Sequence, residues 1–242
     1  EMEDLFQSCS AATECRDAFP RLRDEFATIL DRLKQGVQVT LPDRAHTVPL
    51  HPGRVIEWFR SRLYRPATAA SLPWLIHRAY LGDWRPIVQG ILANAKGFDT
   101  AVTAGIFFSI TCSEDVAFIR PEEIEPATAG TFLGDYRLRE QQAACSTWPK
   151  AALPPGYRSL VRSSVPTLFV SGDVDAGSPL WFTEHVAPGF SDRLEITLVG
   201  RGHTEWSACI GKLYSEFVRR GTLHGLDASS CGPVTRPPFQ TR

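Results

Sequence analysis

The chain has 242 residues, of which 43% are hydrophobic and 22% charged, and its formal net charge is −1. These proportions are ordinary for a globular protein with its own core, and they exclude the basic footprint of a nucleic-acid binder and a charged tail. The apolar stretch over residues 101–110 is far shorter than the roughly 20 residues needed to span a bilayer.

Residues 1 to about 36 read as helical. Between Arg21 and Gln35, the residues Leu22, Phe26, Ile29, Leu30 and Leu33 recur on one face at helical spacing, and Gly36 is placed to end the helix. Val37 to Leu41 and Thr47 to Leu50 form a short strand-like pair. Helical patterns follow over Arg54 to Leu63, Ser71 to Leu81 and Trp84 to Ala95; Ser71 suits an N-cap and Leu72-Pro73 the first turn after it. Ala104 to Thr111 is a short apolar run with the look of a buried strand. Glu122 to Cys145 is helical or loop-like, and Lys150 to Ser164, rich in Pro, Gly, Ser and Arg, is the best boundary in the chain.

The C-terminal part alternates strand and helix: Thr167 to Val170, Pro179 to Val186, Leu194 to Val199, then an amphipathic helix over Glu205 to Arg219. That rhythm with short links predicts parallel strands covered by helices. Two strands make no stable sheet alone, so the rest of the sheet is expected from sequence upstream. The chain opens on Glu1 with no signal segment, and is expected to begin inside a longer protein.

Each C-terminal strand runs into a polar, glycine-bearing loop. The first is Ser171-Gly172-Asp173-Val174-Asp175-Ala176-Gly177-Ser178-Pro179, the second Gly200-Arg201-Gly202-His203-Thr204-Glu205. In open α/β sheets the carboxyl ends of the strands are where ligands bind. An acid on one such loop, 28 residues before a histidine on the next, can hold the imidazole while it takes a proton from a nucleophile.

These two loops resemble the last two triad segments of the α/β-hydrolases, whose order is Ser, Asp or Glu, His. More narrowly, the chain resembles the tripeptidyl aminopeptidase-like branch of the proline iminopeptidase family of secreted serine peptidases. The matching features are Cys9 and Cys15 before Ala18-Phe19-Pro20, Leu72-Pro73 followed by Ala79-Tyr80-Leu81-Gly82-Asp83, Ile110-Thr111-Cys112-Ser113-Glu114, Cys145 before Trp148-Pro149, and a tail with Cys231 and Arg236-Pro237-Pro238-Phe239. The resemblance implies an α/β-hydrolase fold fragment, with a mostly helical cap over residues 1–150 and the last parallel strands and helices of the core over 151–242. It implies Asp175 as the triad acid, in preference to the nearby Asp173, and His203 as the base, with a carboxylate oxygen of Asp175 within hydrogen-bond reach of a His203 ring nitrogen. Ser178 is expected to cap the following helix or to support the acid. Glu114, with Asp115 as its alternative, is a candidate for binding a substrate's free ammonium group.

The departure from the family is the nucleophile. No serine here stands in a G-x-S-x-G turn: Ser171 has Phe169 two positions earlier, and Ser109 lacks both flanking glycines. Serine and oxyanion loop are expected upstream of Glu1, and the chain alone is expected to be inactive. The six cysteines include no C-x-x-C and no zinc-spaced His/Cys cluster. Sequential disulfides, Cys9–Cys15, Cys112–Cys145 and Cys209–Cys231, are the expectation; the other reading is six thiols in a reducing compartment. With the resemblance, disulfides and an extracellular or periplasmic location are implied. His46 and His51 read as surface residues, and His77, His185 and His224 carry no signal. Trp58, Phe59, Trp74, Trp84, Phe107 and Phe108 read as core packing before pocket lining. The implied substrate is a peptide or small acyl or amide compound; no metal, organic cofactor, nucleic acid or membrane span is implied. An esterase or small-molecule amidase of the same fold and a non-catalytic binding protein lacking the nucleophile are the rival readings.

Overall fold

The computed structural model describes residues 1–40, 47–101, 104–229 and 231–242, with residues 95–101 described by their backbone alone. Three helices come first, α1 (Met2–Ala11), α2 (Thr13–Ala18) and α3 (Leu22–Gln35). An antiparallel ribbon of β1 (Val37–Thr40) and β2 (Thr47–Leu50) follows. Then come α4 (Pro52–Arg62), α5 (Pro66–Ala69), α6 (Leu72–Tyr80), α7 (Arg85–Ala101) and α8 (Ala104–Ile110), a π-helical turn (Thr111–Asp115) and a 3-10 turn (Val116–Phe118). The remainder is α9 (Pro121–Thr128), α10 (Tyr136–Cys145), β3 (Thr167–Gly172), α11 (Leu180–Val186), β4 (Arg193–Leu198) and α12 (Ala208–Arg220). These elements form two compact units. One comprises Glu1–Pro20, Ser61–Trp74 and Arg158–Arg242; the other Arg21–Arg60 and Leu75–Tyr157.

The second of these units is helical apart from the β1–β2 ribbon. The apolar face of α3 buries Phe26, Ile29 and Leu33, and Gly36, at φ +98°, ends the helix. The Phe26 ring meets Phe59 edge-on at 5.9 Å and Phe132 at 5.7 Å, and Trp58 lies 5.8 Å from Phe59. Trp58, Phe59 and Trp84 are thus core residues. Glu25 shares the buried face of α3 at 4% exposure, and its carboxylate pairs with His77 Nδ1 at 2.9 Å. His77, silent in the sequence, is therefore the partner of a buried acid. Just past α6, Asp83 pairs with both Arg78 and Arg85. Hydrogen bonds from Arg85, then Arg78, hold its carboxyl well below the usual carboxylate range against the opposing effect of burial.

Ala104 to Thr111 is not the buried strand that its composition suggests. Residues Ala104–Ile110 are the helix α8, with no buried residue, and the burial begins at Thr111, Cys112 and Ser113 in the π-helical turn. A strand needs a partner for its backbone groups, whereas a helix satisfies its own. Here the chain is tied by Cys112–Cys145 to the end of α10, with Phe108 and Trp148 packed on the disulfide, so the helical solution wins.

The first unit holds the α/β part. β3 and β4 pair in parallel from Thr167↔Arg193 to Gly172↔Leu198, with α11 between them in sequence. The pairing extends past both ends: Ser163 N–H donates to Gly189 at 3.0 Å and Val174 N–H to Arg201 at 3.2 Å. α12 begins later than its apolar pattern suggests, because the Ser207 hydroxyl accepts the Ile210 N–H and fixes the N-cap there. Its first turn carries Cys209, bonded to Cys231 of the tail. Among the described residues β3 and β4 pair only with each other, and Val165 and Trp181 nearby are 65% and 59% exposed. No helix among the described residues is long and apolar enough to cross a membrane.

The three disulfides are the sequential ones, with Cα–Cα distances of 5.1, 5.2 and 5.4 Å. Loop-closure entropy makes them unequal. Replacing Cys112 and Cys145 together by alanine is expected to cost about 3–4 kcal/mol of unfolding free energy, against about 2 kcal/mol for Cys9 and Cys15. Urea titration of the two double variants checks this; equal losses would contradict it. A second expectation follows from Asp83. Its lowered folded value means that its ion pairs stabilise fully above the ordinary carboxylate value near 4 and progressively less as the pH falls below it. The stability difference between the wild type and Asp83→Asn, measured by denaturation, is expected to be largest at neutral pH and to narrow on acidification towards pH 2.

Candidate active site

The ends of β3 and β4 are stitched together before either reaches its candidate site residue. Asp173 N–H donates to Leu198 at 3.3 Å, and the Asp173 carboxylate accepts the Gly200 N–H at 2.7 Å. Asp173 is exposed and serves the backbone of the second loop. Two residues on, Asp175 is buried at 6% exposure. Its Oδ1 accepts the N–H groups of Gly177 at 2.7 Å and Ser178 at 2.8 Å, and both carboxylate oxygens lie 3.1 Å from His203 Nδ1. The expected contact is thus made by Asp175.

An acid at Nδ1 favours the tautomer protonated there and leaves Nε2 as the basic lone pair. The His203 side chain is 32% exposed, so the ring is reachable. Gly177 belongs to the same arrangement, since a Cβ at that position would sit 2.7 Å from His203 Nδ1. Only a glycine lets the acid's turn run this close to the imidazole. On the other loop, Glu205 accepts the Gly202 N–H at 2.7 Å. Thr204, directly after His203, has φ +49°, the one positive value at a non-glycine residue among the described residues. Left-handed backbone at threonine is unfavourable by about 1–2 kcal/mol, so the surrounding contacts hold the loop in this shape.

Of the two roles expected for Ser178, capping α11 is not the one seen, and support of the acid comes from its backbone, not its hydroxyl. Pro179 is the N-cap of α11, with no side-chain cap, and Ser178 supports Asp175 through its backbone N–H. The Ser171 hydroxyl is engaged with Thr183 Oγ1 at 2.7 Å.

Glu114 lies in the π-helical turn of the second unit, whereas Asp175 and His203 belong to the first. The Tyr157 hydroxyl donates to Glu114 Oε2, and this bond is the main cause that pushes the Tyr157 phenol up from its ordinary value. Beside it, the Ser113 hydroxyl accepts the Ala151 N–H at 2.9 Å, so the segment 151–157 is fastened to the turn at two points. Asp115 is exposed. His46 lies outside the described residues. His51 packs 5.3 Å from the Tyr136 ring, and His185 and His224 are exposed.

Residues 130–231 match the family model described as TAP-like protein, an α/β-hydrolase family, and the match spans β3, β4, Asp175 and His203. It supports an α/β-hydrolase, and with it a hydrolase function. Among the described residues, two small sheets and a predominance of helix are consistent with a partial fold of that kind. No curated protein and no solved structure matches the chain.

The two aspartates differ in what they leave behind when truncated. Asp175→Ala strands two N–H donors in a buried turn and is expected to destabilise by about 1–3 kcal/mol. Asp175→Asn keeps an acceptor oxygen for both amides and should cost less. Asp173→Ala frees one N–H at an exposed site and should fall within about 1 kcal/mol. Chemical denaturation of the three variants would show the order; equal losses for the two alanine variants would contradict it.

Proposed function

We propose that this chain is the cap and C-terminal part of an α/β-hydrolase-fold serine peptidase that releases short peptides or residues from amino termini. Residues 1–150 are mainly the cap and residues 151–242 the end of the core. The observation that carries the proposal is the buried Asp175 carboxylate facing His203 Nδ1 across the ends of two adjacent parallel strands. The TAP-like match over the same region supports it.

In this reading the nucleophilic serine and the oxyanion N–H groups come from sequence upstream of Glu1. The serine Oγ attacks the scissile carbonyl carbon while His203 Nε2 takes its proton. Backbone N–H groups hold the oxyanion. The imidazolium then gives its proton to the leaving amine as the C–N bond breaks, and water, activated by the same imidazole, releases the acyl group. Asp175 keeps its charge throughout and orients His203. Glu114, held by Tyr157, receives the substrate's ammonium group. Three disulfides are compatible with an exported enzyme.

The test is kinetic and uses the full-length protein. It should hydrolyse a tripeptidyl anilide with a free amino terminus in preference to the acetylated anilide or a simple acyl ester. Asp175→Asn and His203→Ala should each lower kcat by roughly 10³–10⁴-fold, with Asp173→Asn within about threefold of wild type. Glu114→Gln should raise KM for the free-amine substrate alone. Residues 1–242 expressed alone should be poorly soluble and catalytically silent, since exposed strand edges and apolar surface favour aggregation. Peptide hydrolysis by that chain alone, or equal damage from Asp173→Asn and Asp175→Asn, would sink the reading.

A further inference from the structure

We infer that Tyr64 is a positioning residue for His203, supplied by the segment between α4 and α5. The inference rests on the reading of His203 as the base, and three contacts within one compact unit support it. The His203 backbone N–H donates to the Tyr64 carbonyl at 2.6 Å. A Cβ at Gly202 would lie 2.2 Å from that same carbonyl oxygen, so the histidine loop is seated directly on the Tyr64 backbone, and only glycine permits it. The Tyr64 ring lies 5.0 Å from the imidazole, tilted by 49°.

The imidazole is thereby fixed on three sides. Asp175 holds Nδ1, the Gly177 backbone stands against the ring, and the Tyr64 ring occupies a further side. Two carboxylate oxygens at equal distance from one nitrogen still leave the ring free to rock about its own axis. Apolar contact with an aromatic ring restrains that rocking and so sets the direction of Nε2.

The Tyr64 segment is itself stiffly held. Pro66 opens α5, the Thr68 hydroxyl donates to the Arg62 carbonyl at 2.6 Å, and the Arg62 guanidinium donates to Ser71 Oγ at 2.9 Å. Near the C terminus, Gln240 N–H donates to the Ala70 carbonyl at 3.0 Å. The direction of the base is therefore set by residues far upstream of the histidine loop in sequence but in the same compact unit.

The experiment compares Tyr64→Phe and Tyr64→Met in the full-length protein, with kinetics and proton NMR of the His203 Nδ1–H as separate readouts. Tyr64→Phe, which keeps a ring, should retain both the kcat and the downfield Nδ1–H resonance. Tyr64→Met should lower kcat about tenfold or more with KM within about twofold, and should broaden or lose the resonance. In the wild type, nuclear Overhauser contacts should join the Tyr64 and His203 ring protons, which tests the placement even if the methionine variant does not fold. Absent contacts, an unaltered methionine variant, or an equal kcat loss in the phenylalanine variant would overturn the inference. Failure of the catalytic reading is distinguishable: His203→Ala would then leave activity intact, while the NMR arm would still report on Tyr64.

Discussion

A carboxylate taken out of water must find donors to replace those it has lost, and the α/β part of this chain is arranged around one such group. Asp175 is nearly buried, and it is supplied by two backbone N–H groups of its own turn and by the imidazole of His203. The amide pair holds the carboxylate in place independently of the histidine. An acid fixed in this way can orient a base and balance its charge without taking the proton itself.

The strands make the meeting possible. Parallel pairing in register from Thr167 to Gly172 brings two loops out at the same end of the sheet. Cross-links beyond the last strand residues, Val174 to Arg201 and Gly200 to the Asp173 carboxylate, prevent them from splaying. Asp173 and Asp175 thus divide two tasks that one acid could not perform together: the exposed residue braces the histidine loop and the buried one faces the histidine. Gly177 and Gly202 permit the close approaches on either side, and the Tyr64 segment forms the seat.

Much of this was legible in the sequence for a physical reason. The apolar strands, the polar loops after them and the spacing between Asp175 and His203 are local patterns; Asp175 was separable from Asp173 only through the family resemblance, whose pattern places the acid just before the turn that ends in Pro179. What depended on distant partners was not legible. Ala104 to Ile110 is as apolar as a buried strand, but among the described residues it has no neighbouring strand to pair with, and it is a helix that leads into the disulfide at Cys112. Glu25 did carry a signal, a carboxylate between Leu22 and Ile29 on the apolar face of α3, but its partner His77 lies 52 residues away. Ser178 was read through its side chain when its backbone N–H does the binding, a distinction that composition cannot make. Tyr64 left no mark at all, because its contact with His203 exists only once the chain has folded.

On the function proposed above, His203 activates a serine upstream of Glu1. The most direct measurement is mass-spectrometric mapping of a fluorophosphonate adduct on the full-length protein, in the wild type and in the His203→Ala variant. A single modified serine upstream of Glu1, formed in the wild type and lost or slowed by orders of magnitude without the imidazole, is expected. An adduct on a serine within residues 1–242, or one that forms equally well without His203, would contradict it.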